Sequence, residues 1–507
     1  MGEIIVRCLL VLLVIPSIAF CDEDSLHLVC TLTGDKSGDY FCVVAGAGDV
    51  NGDGHKDFLI SAREGNYVRL YLGGTKLDTT VYLQFPGWNA IGVGDVNHDG
   101  FDDILVSDGF YDPVADIGKK WARLYLGGSP MDTNPEFTFT YTYNLPNGGF
   151  AIGAAGDVNG DGYADFLVGV PYSSDLQGRT YVFLGGAQID SQPALTLIGD
   201  TIADYFGTAV AGADVNGDGY SDIVVGAPFS GGINTGGGKV FIYLGGASLH
   251  NAPDKVLIGK CYFGDDVLNA GDVNHNGRCE VLISSMVDHQ CNLYSYPSDS
   301  LTSFPGENPG AGGDFNNDGF DDVLVADPNF VNNIGMVGKL NVHCGGLNLD
   351  TTVSCSATGE VNWGRFGYYS AIVGDINGDG DAEILVGAPG YPDYQTNTGK
   401  VYIYSLQPLD GVSDRDARLP MGVGLVQNYP NPFNPSTMIE YELTRRGYVQ
   451  LDVFDVLGRK VATLVDGKQE PGEHTVKWDA SRVPSGVYFY RLAAGDFVRT
   501  EKMVLMR

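Results

Sequence analysis

The feature that most constrains the fold of this chain is an acidic nine-residue motif, D-x-N-x-(D/N)-G-x-x-(D/E), which occurs seven times. Successive copies start 42 to 62 residues apart, and a period of that size is typical of a propeller, a solenoid or another repeat array. A chain of 507 residues is also too long for one ordinary hydrophobic core. The copies start at Asp49, Asp95, Asp157, Asp214, Asp272, Asp314 and Asp375.

The sequence around each acidic motif repeats as well, and each unit has the pattern of four short strands. In one unit, FGTAVAGA from Phe206 precedes the motif, IVVGAP from Ile223 follows it, and KVFIYLGG comes next from Lys239. A more polar, alternating piece, such as ALTLIG from Ala194, leads into the following unit. Apolar runs are typical of inner strands and alternation of an outer strand. Seven such units predict an all-β fold, a seven-bladed β-propeller over residues 26–406.

The two ends of the repeat region fit together as parts of one unit. The seventh unit stops after its third strand, at Val401 to Leu406, and a spare piece, HLVCTLTG, lies before the first unit at His27 to Gly34. This piece is similar to the fourth-strand segment TTVSCSATG from Thr351. We therefore expect the N-terminal strand to complete the last blade and to close the ring, which leaves no exposed sheet edge.

The acidic motif carries the oxygen ligands that a hard cation such as calcium prefers. Calcium takes six to eight oxygens at about 2.3–2.6 Å. The side chains at positions one, three, five and nine and the carbonyl at position seven can supply them, and glycine at position six permits the sharp turn. The predicted ligands are Asp49, Asn51, Asp53, Asp57, Asp95, Asn97, Asp99, Asp103, Asp157, Asn159, Asp161, Asp165, Asp214, Asn216, Asp218, Asp222, Asp314, Asn316, Asp318, Asp322, Asp375, Asn377, Asp379 and Glu383.

The copies of the motif are not equal. Five of them have three aspartates and one asparagine at the ligand positions, and we expect these to bind calcium most tightly. The copy at Asp375 ends in Glu383, whose longer side chain shifts the ligand. The copy at Asp272 is expected to be weak or empty, because it has fewer acids and contains Arg278. The candidate ligands of this weak site are Asp272, Asn274, Asn276 and Glu280.

Other interpretations of the motif fit the sequence less well. A helix–loop–helix calcium site needs a bidentate acid at position twelve, and the same position also disfavours a dockerin-type repeat. Every copy here has an apolar β-branched residue at that position, such as Ile60 or Val168. A solvated acidic turn is the remaining alternative, but turn chemistry does not require acids at fixed places in seven copies.

Charge and targeting signals indicate the compartment. A formal net charge of −33 argues against nucleic acid and anionic membrane surfaces as partners. Residues 1–19 have the charged, apolar and small-residue regions of a secretory signal peptide, and no later segment is predicted to span a membrane. A lipoprotein that uses Cys21 is an alternative, although the preceding Phe20 is bulky where a small residue is preferred.

The cysteines are compatible with an exported protein. Eight of them follow the signal region, and their spacing matches no zinc pattern. The near pairs Cys30 with Cys42 and Cys279 with Cys291 are the first candidates for disulfides, although the sequence does not determine connectivity.

The C-terminal residues differ from the repeats in charge and pattern. Residues 407–427 are predicted to be a linker, because the repeats end there and proline, glycine and charged residues dominate. Residues 428–507 hold 11 Lys and Arg against 10 Asp and Glu, whereas the rest of the chain holds 19 against 53. About seven strand-like segments in this region predict a small immunoglobulin-like β-sandwich.

The repeat region resembles the FG-GAP repeats of integrin alpha-chain propellers and their bacterial relatives. The FG pair is present at Phe206-Gly207, Phe263-Gly264 and Phe366-Gly367, and the GAP triplet at Gly226-Ala227-Pro228 and Gly387-Ala388-Pro389. The resemblance covers residues 26–406. It implies a β-propeller that binds several calcium ions through the acidic loops and meets an extracellular ligand on one face.

The C-terminal region contains four distinctive segments: NYPNPFNPST from Asn428, VFDVLGRKVATLV from Val453, SGVYFYRL from Ser485 and the terminal KMVLMR. With these segments the region resembles the sorting domain of type IX secretion substrates. This resemblance implies that the tail engages the type IX secretion machinery, and that the protein is secreted or held on the outer cell surface of a bacterium. A plain immunoglobulin-like stalk is the alternative.

These features together predict an adhesion or ligand-binding module rather than an enzyme. The chain has no GxSxG, HExxH or P-loop motif, and the ligand is expected to be an extracellular protein or a glycan. The alternative is a calcium-dependent carbohydrate-active enzyme of the polysaccharide lyase kind, or a glycan-binding propeller with exposed aromatic side chains on one face. The aromatic candidates are Trp88, Tyr111, Trp121, Tyr172, Trp363 and Tyr391.

Overall fold

The regular structure of this protein is entirely β. A computed structural model describes residues 26–506 apart from 113–116, 144–149, 174–176, 231–236, 261, 286–287, 299–300, 348, 350, 394, 407–423, 426–427, 429, 432, 444–446, 457–458, 470–471, 482 and 495–496. Across these described ranges every regular element is a strand, which confirms the all-β prediction. The same ranges contain no helix of the length and hydropathy needed to cross a membrane. The predicted signal peptide and Cys21 lie outside the described residues.

The chain divides into two compact units, Met1–Leu409 and Asp410–Arg507. The strands of the first unit are β1 (His27–Thr33), β2 (Phe41–Gly48), β3 (Asp57–Ala62), β4 (Tyr67–Tyr71), β5 (Leu83–Phe85), β6 (Asn89–Gly94), β7 (Asp103–Asp112), β8 (Ile117–Tyr125), β9 (Phe137–Tyr143), β10 (Ala151–Gly156), β11 (Asp165–Val170), β12 (Arg179–Phe183), β13 (Leu195–Ile198), β14 (Val210–Ala213), β15 (Asp222–Ala227), β16 (Gly237–Tyr243), β17 (Lys255–Lys260), β18 (Phe263–Gly271), β19 (Glu280–Ser285), β20 (Gln290–Tyr294), β21 (Leu301–Pro305), β22 (Asn308–Gly313), β23 (Asp322–Asp327), β24 (Lys339–His343), β25 (Cys355–Thr358), β26 (Tyr369–Ile372), β27 (Ile384–Ala388) and β28 (Lys400–Ser405).

Consecutive strands of the first unit form small antiparallel sheets. Five sheets have four strands each, in the orders β2-β3-β4-β5, β6-β7-β8-β9, β10-β11-β12-β13, β14-β15-β16-β17 and β18-β19-β20-β21. An eight-stranded sheet has the order β1-β28-β27-β26-β22-β23-β24-β25, and its halves are joined by the single parallel pair Ala311 and Ala371. Every acidic motif lies between the first and second strands of a sheet or half-sheet, so all seven lie at the same strand ends.

The N-terminal strand pairs with the last strand of the first unit, as the sequence predicts. β1 runs antiparallel to β28, with His27 opposite Ser405 and Thr33 opposite Lys400. A bulge between Leu28 and Cys30 interrupts the register. β1 is therefore the fourth strand of the half-sheet that contains β26, β27 and β28.

The apolar cores lie between successive sheets. Phe166 and Val168 from β11 share an apolar cluster with Val93 from β6, which belongs to the preceding sheet. The series closes on itself, since Phe58 from β3 shares a cluster with Val401 from β28. Each of the seven clusters of this unit joins one sheet or half-sheet to the next.

The second unit contains two small sheets around one core. Its strands form the orders β29-β30-β33 and β32-β31-β34-β35. Trp478, Tyr490 and Met503 are among the buried residues that both sheets contribute. β29 lies within the stretch predicted as a linker and pairs with β30. The strands are β29 (Gly424–Leu425), β30 (Ser436–Leu443), β31 (Gly447–Asp455), β32 (Lys460–Gln469), β33 (Gly472–Asp479), β34 (Gly486–Ala494) and β35 (Phe497–Leu505).

The suggested disulfide pairs do not form. All six described cysteines, including Cys30, Cys42, Cys279 and Cys291, are free. Cys30 lies in β1 and Cys42 in β2, which belong to different sheets. Cys279 precedes β19, whereas Cys291 is opposite Ser284 near the far end of that strand. At about 3.3 Å per residue this separation exceeds the roughly 7 Å that a disulfide can span.

Candidate metal centres

The first residue of each acidic loop holds the turn together. In the loop at Asp49, one carboxylate oxygen accepts the N–H groups of Gly52 at 2.8 Å and Asp53 at 3.1 Å, and the other accepts that of Gly54 at 2.8 Å. Contacts of the same kind occur at Asp95, Asp157, Asp214, Asp272, Asp314 and Asp375. Position one is thus a structural cap of the loop as well as a predicted ligand.

The loop backbone needs left-handed residues at two places. Position six is always glycine, and its φ lies between 81° and 97° in all seven loops, as the sequence predicts. Position four is left-handed too, although glycine is not always present there: φ is 59° at His98, 57° at His275 and 54° at Asn317. The His98 ring packs against the Tyr163 ring of the next loop, with the ring centroids 5.7 Å apart. The His275 ring packs against the Phe320 ring with the same centroid distance.

The side chains at positions three and five face each other. In the loop at Asp49, Asn51 accepts the N–H of Asp53 at 2.8 Å, and its amide donates to the Asp53 carboxylate at 2.9 Å. The Asp53 carboxylate also accepts the N–H of His55 at 2.9 Å. Asp53 is exposed, so this pair lies at the solvent side of the loop.

The acid at position nine is anchored beneath the loop, at the start of a strand. Asp57 is fully buried, and its two carboxylate oxygens accept the N–H groups of Val50 at 2.9 Å and Gly73 at 2.8 Å. The same pair of main-chain contacts recurs at Asp103, Asp165, Asp222 and Asp322. This acid therefore ties its loop to the turn between the third and fourth strands of the same sheet.

Burial raises the pKa of the position-nine acids well above their ordinary values. The neighbouring carboxylates also raise it, as Asp53 and Asp49 do for Asp57, whereas the main-chain N–H donors lower it. The resulting pKa is about 6 for Asp57 and Asp222, about 7 for Asp103 and Asp165, and about 8 for Asp322 and Glu383. A cation bound beside such a group would offset its burial and the repulsion from its neighbours.

The two loops that end in glutamate differ from the others. In the loop at Asp272, the Asn274 amide donates to the Glu280 carboxylate at 2.7 Å instead of turning towards position five. Arg278 donates to the main-chain carbonyl of Tyr296 at 3.3 Å. In the loop at Asp375, the position-three amide likewise donates to Glu383. The asparagine amide of these two loops is thus engaged by the glutamate.

The predicted ligands have suitable chemistry but are not gathered around a point. Every predicted ligand atom is an oxygen, which is the donor that calcium prefers. Within the described residues, no three His, Cys, Asp or Glu side chains converge in the geometry of a metal site. Their oxygens accept main-chain N–H groups instead. Calcium binding by these residues therefore stays a prediction.

Neighbouring acidic loops are hydrogen-bonded to one another, a feature that the sequence motif did not reveal. In six of the seven loops the N–H group at position eight donates to the carbonyl at position one of the preceding loop. The first loop is linked to the last in the same way, because Lys56 donates to Asp375 at 3.3 Å. The other donor–acceptor pairs are Asp102–Asp49, Ala164–Asp95, Ser221–Asp157, Cys279–Asp214 and Asp321–Asp272, at 2.8 to 3.4 Å.

Four of the five described aromatic candidates are half-buried. Trp363 is the most exposed of the five that are described, at 44%, and the Tyr111 side chain lies outside the described residues. The rings of the others contact cationic or aromatic neighbours: Trp88 with Lys120 at 4.0 Å, Trp121 with Arg123 at 5.3 Å, Tyr172 with Tyr205 at 4.8 Å and Tyr391 with Lys400 at 4.5 Å.

Sequence comparisons identify repeats in the first unit and a sorting domain in the second. Residues 149–183, 206–243 and 367–404 match the FG-GAP repeat, and residues 49–106 match an FG-GAP-like repeat. Residues 427–506 match the secretion system C-terminal sorting domain. These matches confirm both resemblances. The sorting domain indicates secretion or an outer-surface location in a bacterium, and it implies interaction with the type IX secretion machinery.

Integrin alpha chains are among the curated relatives. Integrin alpha-3 of Mus musculus is 36% identical over 164 residues, which is 29% of this chain and 15% of that protein. Integrin alpha-IIb of Homo sapiens is 34% identical over 157 residues, which is 28% of this chain and 15% of that protein. The chain thus matches only a small part of these relatives' length. A solved structure of PorZ, a surface component of the Porphyromonas gingivalis type IX secretion system, shares 15% identity and covers 89% of this chain and 64% of that chain, with a TM-score of 0.26.

Proposed function

We propose that this chain, which carries FG-GAP repeats and a bacterial sorting domain, is a secreted or cell-surface calcium-binding propeller that serves as an adhesion or ligand-binding module. The observation that carries this proposal is the series of seven acidic loops at the same strand ends, six of which are linked to the preceding loop by a main-chain hydrogen bond, including that from Lys56 of the first loop to Asp375 of the last. Shared cores between successive sheets support seven blades, with β1 as the outer strand of the seventh. The repeat relationship to integrin alpha chains supports a role in adhesion.

Calcium would be held by the side chains at positions one, three, five and nine of each loop, with the carbonyl at position seven. A bound ion would supply positive charge among three carboxylates. In the loop at Asp49, Asp57 presents a buried carboxylate from below, and Asn51 and Asp53 are positioned at the solvent side to turn inward. The five loops with three aspartates would bind most tightly, and the loop at Asp272 would bind weakly.

The second unit would act as a separately folded export signal. Its core is formed by its own two sheets, which supports an immunoglobulin-like sandwich over residues 428–507. The propeller would span residues 26–406 and the linker residues 407–427. A domain with its own core and a short connection can fold independently of its neighbour.

Binding is favoured over catalysis as the role of the propeller. The matched sequence models are repeat and sorting modules, and the clustered carboxylates are accounted for by the acidic loops. The ligand would be an extracellular protein or a glycan. A polysaccharide lyase would require a general base aligned with a substrate groove.

The test is a binding survey with the intact mature protein. Binding of the protein to immobilised extracellular matrix proteins and glycans is measured in calcium and again in EDTA. The same preparation is assayed for lyase activity on uronic-acid polysaccharides. The proposal predicts binding that EDTA abolishes and no lyase product. Calcium-dependent cleavage of a polysaccharide, or adhesion that is indifferent to EDTA, would contradict it.

A further inference from the structure

A shallow depression of about 660 Å³ lies at the strand ends opposite the acidic loops. Three loops form it, those between β23 and β24, β25 and β26, and β27 and β28. We propose that this depression binds a neutral oligosaccharide through the face of Trp363. The inference rests on the proposed role of the propeller as a binding module, and it names the ligand class and the site.

Trp363 places a large ring at a surface position where the fold does not require one. Its side chain is 44% exposed and its φ is 65°, a left-handed conformation that costs a non-glycine residue about 1–2 kcal/mol. Ala203 has φ 68° at the equivalent place in the loop between β13 and β14. The fold therefore accepts a small residue at this position, and a large exposed ring there points to function.

Two hydrogen bonds fix the loop backbone that carries Trp363. The Trp363 N–H donates to the carbonyl of Met336 at 2.6 Å, and the Asn362 side chain accepts the N–H of Met336 at 2.9 Å. These two contacts tie the loop before β26 to the loop before β24. Ile334, in the latter loop, is 53% exposed and lines the same depression. An aromatic face beside exposed aliphatic surface suits the apolar face of a pyranose ring.

Hydrogen-bonding side chains surround this apolar surface. Glu360, Asn362, Asp393 and Gln395 line the depression, and carboxylates and amides can pair with sugar hydroxyl groups. Glu360 is oriented by Lys400 at 2.6 Å and by the Tyr402 hydroxyl at 2.8 Å. Asp393 is fixed by the N–H groups of Gln395 and Thr396, at 2.8 Å and 2.9 Å.

Charge favours a neutral glycan over an anionic one. Two carboxylates lie in the depression, and the whole chain carries a net charge of −33, so uronic acids and sulfated sugars would be repelled. A basic peptide is less well matched, because Lys400 already pairs with Glu360. The open shape suits an extended chain that lies across the surface, since enclosed cavities are typical of small ligands.

The experiment compares the wild type and three variants of the intact mature protein by isothermal titration calorimetry and tryptophan fluorescence. The neutral probes are cellohexaose, xylohexaose and mannohexaose; hexagalacturonate is the anionic probe, and hexalysine the basic one. Trp363→Ala removes the ring and keeps a residue that the equivalent loop already accepts, whereas Trp363→Phe keeps an aromatic face. Ile202→Ala is the matched control, because Ile202 is 69% exposed in the equivalent loop before β14.

We expect the wild type to bind at least one neutral hexasaccharide and neither charged probe. Trp363→Ala should weaken that binding at least about tenfold, or about 1.4 kcal/mol, since aromatic residues dominate such contacts. Trp363→Phe should retain most of the affinity, and Ile202→Ala all of it. Unchanged melting of the four proteins shows that the variants are folded.

Three results would overturn the inference. They are the absence of binding by any neutral hexasaccharide at millimolar concentration, equal affinity in Trp363→Ala and the wild type, or a preference for hexalysine or hexagalacturonate. The binding survey with calcium and EDTA separates this failure from that of the proposed function. If Trp363→Ala leaves calcium-dependent adhesion intact, the depression is not the binding site, but the proposed function as a binding module still stands.

Discussion

A methyl group added at Gly212 should force two neighbouring sheets apart. Gly212 lies in β14, and an ideal Cβ built on it is 2.1 Å from the carbonyl oxygen of Ala155 in β10 and 2.5 Å from its Cα. Carbon and oxygen atoms in contact need about 3.3–3.6 Å, so the two first strands must separate by roughly 1 Å. The neighbour is main chain, which cannot rotate away as a side chain can. We expect Gly212→Ala to lower the free energy of unfolding by about 3 kcal/mol, at the upper end of ordinary overpacking.

The matched control is Gly74→Ala, which adds the same methyl group in open space. The nearest atom to its Cβ is the Lys76 carbonyl oxygen at 3.7 Å, so its effect should stay within about 0.5 kcal/mol. Both variants are compared with the wild type by chemical denaturation, followed through tryptophan fluorescence, to which Trp88, Trp121 and Trp363 of the first unit contribute. If Gly212→Ala unfolds at the same denaturant concentration as Gly74→Ala, the main chains of β10 and β14 are not in close contact. The account of tightly packed neighbouring sheets would then be wrong.

Three further predictions concern closure, ionisation and export. Deleting residues 26–34 should expose the edge of β28 and cause aggregation in size-exclusion chromatography; a monomer with an unchanged melt would show that β1 does not close the sheet series. Burial, together with the nearby Arg63, lowers the pKa of Lys120 from its usual 10.5 to about 8. Between these two pH values the unfolded chain holds this proton more tightly than the folded chain does, so the free energy of unfolding should rise as the pH increases from about 8 to 10.5. Lys120→Met should lose that rise in thermal melts, and a rise equal to the wild type would refute the assignment. Removing residues 428–507 should leave the propeller melt unchanged and trap the protein in the periplasm of a host with type IX secretion; detection of the truncated protein at the surface would support the stalk alternative.

Much of the fold follows from the sequence because each unit repeats the same short-range signals. The apolar runs after each acidic motif become fully buried second strands such as β11 and β15, since a strand covered on both faces must be apolar at every position. The N-terminal strand is also predictable, because the last unit lacks a fourth strand of its own.

The features that the sequence did not reveal depend on contacts between units. The link from Lys56 to Asp375 joins residues more than 300 positions apart through main-chain atoms, so no side-chain pattern records it. The left-handed conformation of Trp363 is likewise hidden, because tryptophan carries no propensity for it. The suggested pairing of Cys279 with Cys291 is wrong because sequence proximity does not measure distance along a strand.

The number of calcium ions bound by the chain is the most direct test of the calcium-binding propeller. Metal analysis of the intact mature protein after dialysis against trace calcium, with a matched sample dialysed against EDTA, gives this number. Five loops carry three aspartates each at the ligand positions, and the proposal predicts at least five ions per chain without EDTA. Fewer than three ions per chain would contradict it.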